Sequence, residues 1–436
     1  MLSNIVNYMR KYFYDTIAKQ ALLTLVVQSF TKGLRVLVCI MIARWVSINE
    51  FAQFIFGFTI ATIGCRIVLL GAPQVLSREW GRSEALPEEK YQGLINVAHW
   101  FFTRGMFLSL VGFLGFLAIH FFYFDQGLAH IDLSVYSFSM ILPLFIVQLI
   151  GAVFTAQKKV WLGCVFELFF NLTFLINVFL GVFFSLSLPV LLVIQCIVTT
   201  VLGLIYYIFY QTDRPVKSQK PDASIPGFLA LQLGGVLFAL VDVVVLRILS
   251  TADQLAHYSV ALQINMLVIF GLMALNQNIF SRLAQDIKQL DRKALQANLN
   301  HYAKIIAMLS TVFFMITILL GYSILSFYGP AYTDAYLALV VLAIGSLLNA
   351  LSGSTAMILN MSGQERYTAK VFWFALAANL IMCLCFVKPF GAVGIATSVA
   401  LSTVLWNGIM LVKIRRSMDL NPTIFKFNNL LAKSSS

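Results

Sequence analysis

Six ionisable residues lie well inside stretches of chain that are otherwise mainly apolar. Lys32 and Arg35 interrupt the run 21–46, Arg66 the run 51–73, Arg104 the run 94–124, Glu167 the run 160–184 and Asp242 the run 227–249. Near the centre of a bilayer such a residue costs about 2.5–3.5 kcal/mol on insertion scales, so it normally faces a wet or protein-lined interior. Four cations against two anions leave that interior positive, and a positive interior suits an anionic ligand. Gln28, Lys32 and Arg35 are spaced i, i+4, i+7 and share one helix face. Such a stripe offers several donors to phosphate oxygens, with arginine supplying a planar fork. The competing reading is that Lys32 and Arg35 only neutralise Glu167 or Asp242. Arg66 belongs with the anion-binding set. Arg104 stands about one-third of the way along its run, where snorkelling to the interface explains it as well as ligand binding does.

The two acids carry open alternatives. Glu167 shares a face with Asn171, and Asp242 sits centrally in its run. Either couples a proton or cation to movement, as intramembrane acids often do, or serves as a fixed partner for the cations. Asn276 and Asn278, with Gln277, Gln263 and Asn265 nearby, suit contact with sugar hydroxyls. Hydrogen bonding between helices accounts for them almost equally.

The elements that must position these residues are membrane helices. Hydrophobic residues make up 60% of the chain and charged ones 11%, against roughly 25% charged in soluble domains. Runs long enough to span recur at 21–46, 51–73, 94–124, 134–156, 160–184, 187–210, 227–249, 255–280, 301–327, 333–360, 367–387 and 390–412. With the N-terminus inside, alternate connections hold most of the basic residues. The opposite side keeps only Arg44, Arg247 and Lys388. The positive-inside rule therefore places both termini in the cytoplasm. The net charge of +12 is a topology signal and not a nucleic-acid footprint. Ahead of the first run, Ile5, Met9, Tyr12, Phe13 and Ile17 recur at helical spacing among basic residues, which predicts an amphipathic helix on the membrane surface over 1–20. A disordered tail is the alternative there.

Nothing in the chain reads as catalytic. There is no phosphate-cradling loop, no metal-ligand spacing and no cofactor motif, so the expectation is a non-enzyme without metal or cofactor. The six cysteines all fall in apolar runs and are expected to be free.

An internal repeat divides the chain. The segment from Ile42 to Phe54 returns from Val245 to Tyr258, pairing Arg44 with Arg247, Ser47 with Ser250 and, after a one-residue insertion, Phe51 with Leu255, Ala52 with Ala256 and Phe54 with Tyr258. Two copies imply homologous halves of six helices each, parallel repeats around a central cavity. The expected organisation is a surface segment 1–20, a first lobe 21–211, a linker 212–226, a second lobe 227–414 and a basic tail 415–436. Shifting Lys32, Arg35 and Arg66 by the repeat offset lands on Gly235, Phe238 and Phe270. The scaffold repeats and these cations do not, which favours function over folding for them. Gly33, Gly71 and Pro73 are candidate bending points, with close packing as the alternative for Gly33.

The pattern Ile42-Ala-Arg44, Glu50-Phe51 and Phe54, its echo around Arg247 and Tyr258, and Val241-Asp242 ahead of the echo resemble the polysaccharide transporter branch of the multidrug/oligosaccharidyl-lipid/polysaccharide (MOP) exporter superfamily, and within it the Wzx-type O-antigen flippases. The resemblance implies a two-lobed, twelve-helix fold in the bacterial inner membrane. It also implies flipping of undecaprenyl-pyrophosphate-linked oligosaccharide, with membrane lipids and a polysaccharide polymerase and chain-length regulator as further partners, and no nucleic acid. The resemblance further implies a cationic cavity, which is compatible with Lys32, Arg35 and Arg66. The rivals are a drug/cation antiporter of the same superfamily, a membrane-bound sugar polymerase or ligase, and a non-transporting component of an assembly complex.

Overall fold

A computed structural model describes residues 16–82, 87–123, 139–157, 159–209, 218–221 and 225–424. Among them helix is the only regular secondary structure. Most of the predicted surface segment, part of the linker and the end of the tail lie outside the described residues.

Within the described residues, each apolar run is mostly helical. In the first half these are α1 (Thr16–Trp45), α2 (Ile48–Val68), α4 (Pro87–Tyr123), α5 (Ile141–Ala156), α6 (Val160–Phe183) and α7 (Leu188–Phe209). The short α3 (Ala72–Arg82) follows α2 and is an addition to the predicted set. In the second half come α8 (Ile225–Leu249), α9 (Ala252–Gln289), α10 (Arg292–Ser326), a 3-10 turn (Pro330–Ala335), α11 (Tyr336–Leu351), α12 (Thr355–Met361) and α13 (Glu365–Met418). The last two runs share α13, whose helical dihedrals break at Gly391 (φ 53°, ψ −128°) two residues after Pro389. Among the described residues nine helical segments are long and apolar enough to cross a membrane, and Ile141–Ala156 is a shorter apolar helix.

The chain separates into two compact units, Met1–Val236 and Leu237–Ser436, a division that falls within α8. The repeat shows in both. Phe51, Ala52 and Phe54 are buried in the first unit, as are their counterparts Leu255, Ala256 and Tyr258 in the second. Ser47 caps α2 in a reciprocal box with Glu50: the Glu50 amide donates to Ser47 Oγ at 3.3 Å, and the Ser47 amide donates to Glu50 Oε2 at 2.9 Å. In the second copy Thr251 accepts from the Gln254 amide at 3.3 Å. The matched caps are thus Ser47 and Thr251, whereas the sequence alignment pairs Ser47 with Ser250. Gln254 is diverted from its own cap. Its Oε1 accepts from Ala392 N at 2.8 Å and closes the break in α13 from the side.

Two bending points resolve differently from expectation. α2 ends at Val68, and Leu70 (φ 51°) and Gly71 (φ 79°) turn the chain into α3, whose first turn holds Pro73. Those residues terminate a helix and do not bend one. Gly33 lies inside α1, and a Cβ there would meet nothing within 4 Å, so close packing is not its role. Close packing occurs at Gly163 of α6, where a Cβ would come within 2.9 Å of the Gly151 carbonyl oxygen on α5.

Candidate functional site

In the first unit α1 lies along α6. Gln28 Nε2 donates to Cys164 Sγ at 3.3 Å, which fixes the register of the two helices. One turn further along each helix, Lys32 comes within electrostatic reach of Glu167 and of Arg35. Arg35 sets its guanidinium 5.1 Å from the centroid of Phe58 on α2, a cation–π geometry. Lys32, Gly33 and Arg35 are all exposed. The predicted stripe is therefore an open positive face. Gln28 anchors its base, Lys32 is balanced by one acid, and Arg35 is steadied by an aromatic ring that supplies no counter-charge.

Arg66 occupies the last turn of α2. Counted from the short turn that joins α1 and α2, Arg66 and Gln28 lie about equally far along their helices. Its Nε is buried without a hydrogen-bond partner. A buried donor left unpaired costs free energy, and an anionic ligand would satisfy it. Arg104 is exposed and places its guanidinium 4.0 Å from the ring centroid of Trp100, one turn back on its own helix.

Glu167 and Asn171 do not act as a pair. Asn171 is buried and donates to the backbone carbonyl of Glu167 at 2.8 Å, leaving the exposed carboxylate to face Lys32. Asp242 is buried in the second unit. Its Oδ1 accepts from the Val243 amide at 2.8 Å and its Oδ2 accepts a short hydrogen bond from Tyr258 Oη on α9. Cys383 of α13 is within electrostatic reach of both. Asn379, one turn earlier, accepts from Ser402 Oγ at 3.3 Å and from Cys383 Sγ at 3.7 Å, while its own Nδ2 is unpaired. Asn276 and Asn278 belong to α9, but their side chains lie outside the described residues.

Sequence reasoning missed Tyr258, and the repeat held the signal. The offset that pairs Ile42 with Val245 pairs Cys39 with Asp242, and the adjoining register pairs Phe54 with Tyr258. Both members of the buried pair are thus polar replacements of residues that are buried and apolar in the first unit.

The fold has solved relatives. An inward-facing multidrug resistance MATE family transporter of the MOP superfamily superposes with a TM-score of 0.69 at 14% identity, covering 92% of this chain and 98% of that one. The lipid II flippase MurJ, in an inward closed conformation, gives 0.68 at 14% identity over 89% and 87%. A MOP superfamily transporter from Pyrococcus furiosus gives 0.62 at 14% over 94% and 97%. The protein is a multi-pass helical membrane protein with the MOP superfamily fold. No curated protein matches its sequence significantly. The family model for polysaccharide biosynthesis proteins matches residues 17–285, more than half of the chain, and the chain belongs to that family. The resemblance drawn from Ile42–Phe54 and its echo is borne out.

Proposed function

We propose that this protein flips undecaprenyl-pyrophosphate-linked oligosaccharide repeat units, of O-antigen or a similar surface polysaccharide, across the bacterial inner membrane. It does so by alternating access of two lobes, coupled to an ion, with twelve crossings and both termini in the cytoplasm. The observation that carries this reading is the open positive face of α1. Lys32 and Arg35 offer donors to a pyrophosphate, and the missing side chain at Gly33 leaves room beside them. Arg66, with its unpaired Nε, extends the donor set. A pyrophosphate carrying a sugar and a long lipid needs such a surface more than it needs a closed pocket. The buried Asp242–Tyr258 pair is the coupling point in this scheme: a carboxylate held by a neutral hydroxyl can take up and release a cation without breaking a salt bridge. Membrane lipids surround the exposed apolar faces, and a polymerase and chain-length regulator act on the flipped product.

The test is removal of the protein. Lipid-linked repeat units should then accumulate in the cytoplasmic leaflet, and surface glycan should be lost. The exposed carboxylate of Glu167 favours one alternative, a drug/cation antiporter, since an acid beside an open face can hold a cationic drug. Under that reading removal leaves the glycan intact and raises sensitivity to cationic drugs.

A further inference from the structure

One end of the second unit is tied together by six residues of chain, 419–424. α13 stops at Met418, and Asp419 adopts the left-handed conformation (φ 52°) that lets the chain double back. Arg292, at the start of α10, holds that turn. Its Nε and Nη2 donate to the Asp419 carbonyl at 3.1 and 2.9 Å, and it forms an ion pair with the Asp419 carboxylate. One turn along α10, Gln296 binds Asn421 reciprocally: Nε2 donates to the Asn421 carbonyl at 2.7 Å, and Oε1 accepts from the Asn421 amide at 2.7 Å. Between these anchors Leu420 is inserted into an apolar cluster with Leu283 of α9, Leu295 and Leu299 of α10, Ile358 of α12 and Ile414 of α13. Four helices therefore contribute to the cluster that holds this leucine.

The next residue reaches a break in the helix path. α11 ends at Leu351 and α12 begins at Thr355, with Gly353 (φ 75°) between them. The Pro422 carbonyl packs directly against Gly353, so a Cβ at that position would collide with the carbonyl oxygen and lie 3.0 Å from its carbon. The opposite side of the break is stitched by one side chain of α13. Asn407 Nδ2 donates to Asn349 Oδ1 before the break at 2.9 Å, and Asn407 Oδ1 accepts from Thr355 Oγ1 after it at 2.9 Å. α12 has seven residues, too few to be a stable helix without tertiary support. Its direction is set by what holds it. A small apolar hollow lined by Leu299, Tyr302, Ile306 and Ile358 lies beneath Pro422, so the space around the break is incompletely filled.

We propose that Ser352–Ser354 is a hinge and that residues 419–424 are the strap that locks it. The neutral stitch through Asn407 defines the axis, and the strap fixes the angle of α12 against α10 and α13. The lock is built to release. The Arg292 and Asp419 side chains are 61% and 66% exposed, so salt screens their attraction. Leu420 and Pro422 reseat once the charged grip re-forms.

Hydrogen exchange by mass spectrometry on the purified full chain in lipid nanodiscs tests this, with the double variant R292A/Q296A and with Gly353→Ala, which displaces Pro422 without touching a charge. Both variants should raise amide exchange at least tenfold in residues 355–361 and in 420–423, leaving α5 and α6 as protected as in the unmodified protein. Raising salt from 0.05 to 0.5 M should accelerate exchange at 355–361 in the unmodified chain and have little effect in R292A/Q296A. Faster exchange at 420–423 with unchanged 355–361 would mean that the segment is a passive tail, and would overturn the proposal. Loss of protection throughout the second unit would overturn it too, because the contacts would then belong to the core and not to a lock.

Discussion

Tyr258 on α9 donates its hydroxyl to Asp242 on α8, in the interior of the second unit. The aligned positions of the first unit hold Phe54 and Cys39, both buried. The same scaffold site is thus apolar in one copy and a carboxylate–hydroxyl pair in the other, a difference that helix packing does not require.

Removing either member should expose the dependence of one on the other. Tyr258→Phe strips a buried carboxylate of its side-chain donor and should cost about 1–3 kcal/mol. Asp242→Asn should cost less, since an amide oxygen still accepts from the tyrosine. The double change should be at least 0.5 kcal/mol or so less damaging than the sum of the singles, read as thermal unfolding in detergent. Strictly additive losses would mean that the pair is not coupled.

Two glycines should respond to alanine with opposite sign. At Gly163 a Cβ meets the Gly151 backbone of α5, and neither helix can yield cheaply. Overpacking of that kind costs about 1–3 kcal/mol. At Gly33 a Cβ meets nothing, so alanine should raise stability by about 0.5–1 kcal/mol through helix propensity. Thermal unfolding of the two variants checks both signs, and a destabilised Gly33→Ala would show that α1 must bend there.

Arg66 should show a trade of stability for function. Its buried Nε has no acceptor, so Arg66→Met removes an unpaired donor while keeping much of the volume. The substrate-free protein should gain stability, up to about 1 kcal/mol, while glycan export falls several-fold. Export at the unmodified level would remove Arg66 from the site.

The break in α13 should depend on Gln254. Gly391 has a positive φ, and a Cβ there would collide with the Gln254 side chain that accepts from Ala392. Gly391→Ala should therefore destabilise by roughly 1–3 kcal/mol, and Gln254→Ala by about 1 kcal/mol. Because Gln254→Ala removes the clash, the double variant should lose less than the sum in the same unfolding measurement.

Much of this organisation was legible in the sequence because the bilayer forces it to be. Apolar length marked every run that became a helix, and the Ile42–Phe54 echo marked residues that are buried in both units. Charge in an apolar run singled out Lys32 and Arg35, which the fold leaves open. What escaped notice depends on contacts far apart in the chain. Gln28 finds a cysteine 136 residues away, and no spacing rule predicts a thiol as its acceptor. α3 is a short polar helix after a left-handed turn at Leu70, where neither length nor hydropathy signals a new element. In sequence Tyr258 is one more aromatic in an aromatic-rich chain, and only the fold sets it against Asp242. The strap resembled an unremarkable tail, because its hold on Gly353 uses a carbonyl and a missing side chain.

In the proposed function the positive face of α1 binds the anionic part of a lipid-linked glycan. That binding is tested most directly by measuring which membrane leaflet holds the lipid-linked repeat units in cells that carry Lys32→Ala plus Arg35→Ala, with the variant present in the membrane at the unmodified level. The predicted result is accumulation in the cytoplasmic leaflet, with surface glycan reduced at least tenfold. Surface glycan at the unmodified level, with no accumulation, would contradict it.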